Sequence, residues 1–507
     1  MALSFPKFGH PACAWVALVP LILAVVAPGR GPHGSALDPV RPRRAFTLGL
    51  ACGAVYFAGT LYWLVETMTT FGGLATPLAV LAAMLLVAYL ALFPAIFALL
   101  LRRAARAFGV RGILLSPMFW VTTELGRQYV WDGFPWALLG YSQVTVLPVA
   151  QLASVVGVYG LSALLALSAA AVAYAIAGRA RDRWIPLAGV AALAAAVALW
   201  GSARLNGRAL ASAGDPVRVA VLQGNIAQED KWNPALRDMI TDRYISMTRD
   251  ALAQGATFIL WPESSTPFYF ERDLVRGAAI RRLASEGRAT LLIGSDQIEP
   301  VRAVAGAAQP PAEERYYNAA FLVKPDGGIG AVYRKMHLVP FGEYVPAKRL
   351  LFFVGPIVEA VSDFSAGINP VLLPVGTHRV STAICYEVIY ASLMRGFVTA
   401  GSELLTTITN DAWYGRSSAA YQHWDQAALR AIEGGRYLAR AANTGISGFV
   451  DPYGRVLRRS DLFEQALLVA DVRFLRHRTI YSRIGDLVAW MCLAATLAVV
   501  LATRRVR

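Results

Sequence analysis

Seven apolar runs, at residues 12–28, 46–65, 77–101, 113–126, 150–177, 185–203 and 485–503, constrain this chain more than any other feature. A helix needs about 20 apolar residues to cross about 30 Å of hydrocarbon, and most of these runs approach or exceed that length. The run at 113–126 is the short, interrupted one. With 56% hydrophobic and only 16% charged residues, the chain is too apolar for a wholly water-soluble protein. Between 214 and 475 the texture changes to short alternating runs, Gly/Pro turns and scattered charge, which describes an aqueous domain large enough to bury its own core. The expected organisation is a set of N-terminal transmembrane helices over 1–205, an aqueous domain over 214–475 and a C-terminal transmembrane helix at 485–503. Nothing resembles a cleavable signal peptide.

The net charge of +15 would suit a nucleic-acid partner, but its placement has another cause. Arg30, Arg41, Arg43 and Arg44 follow the first run, and Arg102, Arg103, Arg106 and Arg111 the third. Arg179, Arg181 and Arg183 follow the fifth, and Arg504, Arg505 and Arg507 the last. The loops at 66–76 and 127–149 hold only Arg127. Basic loops on alternate sides are the positive-inside pattern. These fourteen arginines, offset by Asp38 and Asp182, make up +12 of the +15, so no nucleic acid is expected. The same alternation places the aqueous domain outside the cytoplasm. With six runs ahead of it, the N-terminus also falls outside, which predicts a further helix upstream of Met1.

Cys13, Cys52 and Cys492 lie in apolar runs and read as small buried hydrophobes. Cys385 alone lies in the aqueous domain, with no intrachain partner there. Outside the cytoplasm a lone thiol has to be shielded or used.

Strand-like runs recur through that domain, at 217–223, 257–263, 290–296, 318–325, 379–387, 403–411 and 445–454. Helical spacing intervenes at 234–254, 271–287 and 420–440. Strands alternating with helices predict a layered α/β domain. The loop at 336–376, rich in Pro, Gly and Phe, has no period, and long irregular loops in compact domains are usually functional.

Three strand ends offer reactive polar residues. TFILWPE ends in Glu263, GGIGAVYRK delivers Lys335, and RVSTAIC ends in Cys385. Lys335 is one of five lysines against 43 arginines, so a compact ammonium is used where the chain otherwise prefers a guanidinium. A thiol becomes a strong nucleophile as the thiolate. A carboxylate can take its proton, and an ammonium can oppose both the thiolate and the oxyanion that follows attack. Each residue alone also has a plain structural reading. A Cys–His pair is open through His337, His378 or His423, but none stands in a cysteine-protease context, and each reads better as a structural hydrogen-bonding residue. No HExxH or clustered metal-ligand spacing occurs, nor a phosphate-binding GxxxxGK[ST] or a GxSxG elbow, so neither metal nor cofactor is expected.

At these residues the chain resembles the nitrilase (carbon–nitrogen hydrolase) superfamily, whose members use a Glu–Lys–Cys triad in this order. Over nearly its whole length it is similar to the integral-membrane branch, the apolipoprotein N-acyltransferases. The likeness rests on QGNIAQEDKW (223–232), LWPES (260–264), KMHLVPFGEYVP (335–346), AICYE (383–387), TNDAWYG (409–415), QH (422–423) and RAIEGGRYLARAANTGIS (430–447). In the membrane half it rests on TELGRQYVWDGFPWALLGYSQ (123–143). The resemblance implies an αββα sandwich with Glu263 as general base, Lys335 as oxyanion stabiliser and Cys385 as nucleophile. It also implies Glu343 as the acid that orients the lysine, with Trp232, Tyr386 and Glu387 around the pocket and its entrance. It further implies acyl transfer through a cysteine thioester, from a phospholipid to the α-amine of a diacylglyceryl-cysteine apolipoprotein. The protein would be a monomer in the bacterial inner membrane with its catalytic domain facing the periplasm. The aromatic segments FPW (134–136) and 350–364 would suit a lipid-facing mouth. The family usually has eight spans and a cytoplasmic N-terminus, whereas seven are counted here. Two other readings share parts of this pattern. A membrane-tethered amidase would keep the triad, and a transporter would need buried ionisable groups that the runs largely lack, Glu66 and Glu124 lying near run ends.

Overall fold

The computed structural model describes residues 1–28, 37–131, 133–178, 181–300, 314–340, 342–344 and 364–504. Three helical stretches are long and apolar enough to cross a membrane: Thr76–Tyr129, Ala153–Ala177 and Ile185–Ser212. The pair Pro42–Thr60 and Trp63–Phe71, bent by 54°, makes a fourth if it is one span. Pro11–Val26 and Leu487–Ala502 are shorter apolar helices. All seven runs therefore fall on helix, but they are not seven equal spans. Thr76–Tyr129 turns through Gly109–Leu115 and returns along itself. Phe97 meets Trp120 edge-on at 5.3 Å. Gly112 approaches Ala104 so closely that a Cβ there would stand 2.4 Å from its carbonyl oxygen. The runs at 77–101 and 113–126 are the two legs of this hairpin. Its return leg, Ser116–Tyr129, is only 14 residues long and buries Glu124 and Arg127.

The aqueous half is a sandwich of two six-stranded sheets. The first holds β1 (Asp215–Gln223), β2 (Phe258–Leu260), β3 (Thr290–Pro300), β4 (Glu314–Val323) and β5 (Ile329–Arg334). The second holds β6 (Leu373–Val375), β7 (His378–Ile384), β8 (Leu404–Thr409), β9 (Leu438–Ala442), β10 (Gly448–Val450) and β11 (Val456–Arg459), and β12 (Ala466–Phe474) returns to the first. The orders are β12-β1-β2-β3-β4-β5 and β11-β10-β9-β8-β7-β6. Three central strands of each sheet run parallel, β1-β2-β3 and β7-β8-β9. Parallel neighbours need crossover connections, and helices supply them: Arg237–Ala253 and Leu274–Gly287 in the first half, Ala391–Ala400 and Ser418–Gly434 in the second. The pleat sorts the side chains. Val217, Val219 and Val221 join the core shared with the second sheet, while Ala220 and Leu222 join the core under the first pair of helices.

One expected element is corrected. The helix read over 420–440 stops at Gly434, where Gly435 takes φ 59°, and Leu438–Ala442 is a buried strand between β8 and β10. LARAA is built of strong helix formers, and the central place in the sheet overrides that preference. Strands β5, β6, β11 and β12 fall outside the expected runs. Within the irregular loop at 336–376, residues 345–363 lie outside the described residues.

Candidate active site

Each of the three groups sits where a strand stops. β2 ends at Leu260, and Trp261 and Pro262 carry the chain to Glu263. Position 294 has to be glycine for this, since a Cβ there would stand 2.2 Å from the Pro262 carbonyl oxygen and 2.7 Å from the Glu263 Cα. Lys335 follows β5 directly, and its N–H donates to the Asn318 carbonyl on β4 at 2.9 Å. Cys385 follows β7 and opens the 3-10 turn Cys385–Ile389 with φ 52°. For a residue with a side chain this left-handed conformation costs on the order of 1–3 kcal/mol and persists only where the surroundings enforce it.

The side chains converge from both sheets. Lys335 Nζ lies 3.2 Å from Glu263 Oε1 and 2.9 Å from Glu343 Oε1, with lysine and glutamates all buried. Asn318 Nδ2 donates to the same two oxygens, at 2.7 and 2.9 Å. Val339 N–H donates to Glu343 Oε2 at 2.8 Å, so Glu343 ties the lysine to the loop that follows it. From the second sheet, the Asn410 N–H donates to Glu263 Oε2 at 2.8 Å. Glu387 bridges the two sheets from below. Its Oε1 accepts from Met336 N–H (2.6 Å), His337 N–H (3.1 Å) and Tyr333 O–H (2.8 Å), and its Oε2 from Ile384 N–H (2.7 Å). Tyr386 is buried against Phe134 and Tyr390, and Trp232 is the exposed member of the group, 44% accessible.

Electrostatics fixes the resting protonation. Burial and the Glu263 carboxylate push the Cys385 thiol well above its ordinary value, against the pull of Lys335. Burial would raise Glu263, but Lys335 and Lys231 outweigh it and hold the carboxyl below the usual range. Burial would lower Lys335, and Glu263 and Glu343 outweigh that and raise it. The site thus rests as thiol, carboxylate and ammonium, an arrangement in which a carboxylate can take a thiol's proton and an ammonium can oppose negative charge formed beside it. Among the described residues no group of three or more His, Cys, Asp or Glu side chains is arranged to hold a metal ion.

Several groups here escaped the sequence reading as site residues. Lys231 is buried and donates to the Glu263 carbonyl at 3.2 Å; its rarity among the lysines was the available signal. Asn318, in the middle of β4, gave none. Asp411, Arg440 and His423 form a fully buried network behind the thiol, with Arg440 Nη2 2.9 Å from Asp411 Oδ2 and His423 Nδ1 3.0 Å from Asp411 Oδ1. Thr409 Oγ1 donates to Asp411 Oδ1 at 2.8 Å. Of the Phe-Pro-Trp segment, Phe134 is half-buried against Tyr386, while Trp136 is turned into the protein. Trp136 is 1% exposed and its indole N–H donates to Gln422 Oε1 at 2.7 Å, because a buried indole needs a partner and finds it in the sandwich. The companion segment at 350–364 lies, but for its last residue, outside the described residues.

Residues 1–171 match the family described as the apolipoprotein N-acyltransferase N-terminal domain, and residues 218–480 match carbon–nitrogen hydrolase. An apolipoprotein N-acyltransferase of Geobacter metallireducens is 40% identical over 100% of this chain and 94% of its own length. Its counterpart in Methylococcus capsulatus is 35% identical over 92% of this chain and 88% of that one. Among solved structures, an amidase of the nitrilase superfamily from Nesterenkonia AN1 is 20% identical, covering 56% of this chain and 98% of its own, at a TM-score of 0.41.

Proposed function

The chain belongs to the apolipoprotein N-acyltransferase family, the membrane branch of the carbon–nitrogen hydrolases, and on that footing we propose how its acyl transfer runs. In the first half-reaction Glu263 takes the Cys385 proton as Sγ attacks the ester carbonyl of a phospholipid. The tetrahedral oxyanion forms against the Lys335 ammonium. Collapse breaks the ester C–O bond, Glu263 returns the proton to the leaving alkoxide, and a thioester and a lysophospholipid result. In the second, the neutral α-amine of a diacylglyceryl-cysteine apolipoprotein attacks the thioester, and Glu263 takes a proton from the amine nitrogen. Collapse breaks the C–S bond, the thiolate recovers the proton, and the product is an N-acyl amide. General acid–base help of this kind contributes ~10²–10⁴-fold.

The observation that carries this reading is the Lys335 ammonium fixed between Glu263 and Glu343, at 3.2 and 2.9 Å, next to a thiol in a left-handed turn. Glu343 and Asn318 hold the lysine, and Glu387 holds the turn to the segment after β5. Tyr386 and Trp232 flank the thiol and the entrance. Incubating the purified protein with phospholipid labelled in its acyl chain should place hydroxylamine-sensitive label on Cys385. Turnover without such label, or label retained by Cys385→Ala, would overturn the thioester route. The arginine alternation supports a periplasm-facing sandwich in the inner membrane. A periplasm-dependent reporter should work when fused after residue 300 and fail after Arg507; the reverse pattern would refute that orientation.

A further inference from the structure

The strained conformation of Cys385 needs something to enforce it, and besides the bonding of the 3-10 turn itself the structure offers a side-chain contact aimed at the residue's own backbone. His423, on the Ser418–Gly434 helix, lies with Nε2 3.1 Å from the Cys385 carbonyl oxygen. A carbonyl can only accept, so Nε2 carries the hydrogen. The ring is held from two sides. On the sandwich side, Arg440 Nη2 stands 2.9 Å from His423 Nδ1 and 2.9 Å from Asp411 Oδ2, and its other nitrogens reach Thr407 Oγ1 and the Ile446 carbonyl. On the membrane side, Trp136 stacks on the imidazole at 5.7 Å and 30°, and Tyr414 closes the edge at 5.9 Å.

Trp136 is itself pinned by the buried pair Glu124–Arg127 on the short return leg of the membrane hairpin. Arg127 Nη1 donates to the Trp136 carbonyl at 3.2 Å, Glu124 Oε1 accepts from Leu139 N–H at 2.7 Å, and the two side chains meet at 3.4 Å. The Phe134 N–H also donates to the Arg127 carbonyl, at 2.7 Å. A continuous line of contacts therefore runs from an ion pair among the membrane helices to the backbone of Cys385.

We propose that His423 is a positioning residue for the nucleophile, clamped between Trp136 of the membrane half and the Asp411–Arg440 pair of the sandwich, so that its Nε2–H fixes the Cys385 carbonyl and holds the residue in its left-handed turn. The proposal rests on the reading of Cys385 as nucleophile. It gives the membrane half a duty in the chemistry itself, besides bringing the protein to lipid. Without the donor the buried carbonyl loses its side-chain partner and keeps only the bonding of the 3-10 turn, and the peptide relaxes toward the extended backbone of β7, carrying the thiol away from Glu263 and Lys335. Burial and the Arg440 guanidinium push His423 down against the pull of the Asp411 carboxylate, 3.0 Å from Nδ1, and the Nε2–H that the carbonyl requires is present whether or not Nδ1 is protonated.

The test uses the full-length protein in detergent with Cys13, Cys52 and Cys492 changed to Ala, so that Cys385 is the one reactive thiol. His423→Phe keeps the stacked ring and removes the donor; His423→Gln keeps an amide N–H near the Nε2 position. Displacing a reacting atom by about 1 Å costs on the order of 10²-fold. His423→Phe should lower kcat and the rate of Cys385 alkylation by iodoacetamide by ~10–100-fold, with KM for phospholipid within about twofold. His423→Gln should recover most of that loss, and Trp136→Ala should reproduce the fall in alkylation rate. Wild-type rates in His423→Phe, or equal losses in the Phe and Gln variants alongside an equal fall in melting temperature, would overturn the proposal. Alkylation needs no acyl transfer. A failure of the nucleophile reading would therefore appear separately, as an alkylated Cys385 that never takes acyl label.

Discussion

The sheet containing β1 to β5 delivers the charged groups that act on the thiol, with Glu263 after β2 and Lys335 and Glu343 after β5, all three bridged by Asn318 on β4. The sheet containing β6 to β11 delivers the thiol itself after β7, and behind it the network of Thr409, Asp411, Arg440 and His423. The two sheets share one plan, three parallel central strands with two crossover helices, yet they divide the work. The first assembles a charge cluster bonded largely within itself. The second holds a buried polar network behind one residue, and His423 carries it to that residue's carbonyl. Glu263 and Cys385 meet only across the sandwich, so the registration of the sheets sets their relative geometry and, on the proposed mechanism, that of the reaction. Many hydrogen bonds cross between the sheets, among them Gln223 with Ser447 and Asn443 with Ile226. Two of the crossing contacts touch the site itself: Asn410 N–H on Glu263 Oε2, and Glu387 on the segment after Lys335.

The sharpest way to break this division is to empty the second sheet's contribution. Cys385→Ala should abolish both thioester formation and N-acylation, while Ala at Cys13, Cys52 or Cys492 should be nearly silent. Acyl transfer surviving in the Cys385 variant would leave the second sheet without a chemical part, and radiolabel transfer from phospholipid reads this directly.

Emptying the first sheet's part in two steps separates base from cation. Glu263→Gln should slow acylation and deacylation alike by ~10²–10⁴-fold, because one carboxylate handles the proton in both. Near-normal single-turnover acylation would mean the base lies elsewhere. Lys335→Met should cost ~10²–10³-fold, the usual loss for one oxyanion donor. Lys335→Arg should not rescue it, since a planar fork does not fill the place of a compact ammonium between two carboxylates. The pH profile adds a signed check. Lys335 and Lys231 hold Glu263 below the usual carboxylate range against burial. The acid limb of acylation should therefore lie below the ordinary value of about 4.3 in the wild type. In Lys335→Met burial acts with less opposition, so the limb should move to higher pH. A limb that stays put would show that Lys335 does not set the state of the base.

Chain composition exposes these sites unevenly. Glu263, Lys335 and Cys385 are legible because each is a rare or charged residue placed directly after an apolar strand, where the pleat's alternation ends. Asn318 is not legible: one amide inside NAAFLV looks like an ordinary strand residue, and only the fold of β4 beside β5 brings it to both carboxylates. The helix formers of LARAA hide β9, whose place is decided by neighbours distant in sequence. In the membrane half, hydropathy and the basic loop that includes Arg111 make the two legs of the hairpin legible as separate runs, but not how short and buried the return leg is. Glu124 and Arg127 look like end-of-span charges until the return leg buries them under the Phe-Pro-Trp loop.

The smallest expected effect tests the registration itself. Glu387 takes four hydrogen bonds, three on Oε1 from the segment around Lys335 and one on Oε2 from the Ile384 N–H just before the nucleophile. Glu387→Gln keeps the volume and one oxygen. The glutamine keeps most bonds by turning that oxygen toward Met336, His337 and Tyr333, which sets its own NH₂ against the Ile384 N–H. One buried donor is then left unpaired, at a cost of ~1–3 kcal/mol, and the orphan lies at the strand end that aims the thiol. The melting temperature should fall, and acylation should slow by about tenfold, the equivalent of ~1.4 kcal/mol in the barrier. Cys385 labelling should persist, because base, cation and nucleophile are all present. A lower melting temperature with an unchanged acylation rate would make Glu387 a matter of stability alone. The thiol–base geometry would then rest on the Asn410 contact, and Asn410→Pro, which removes that N–H, should produce the larger loss of rate.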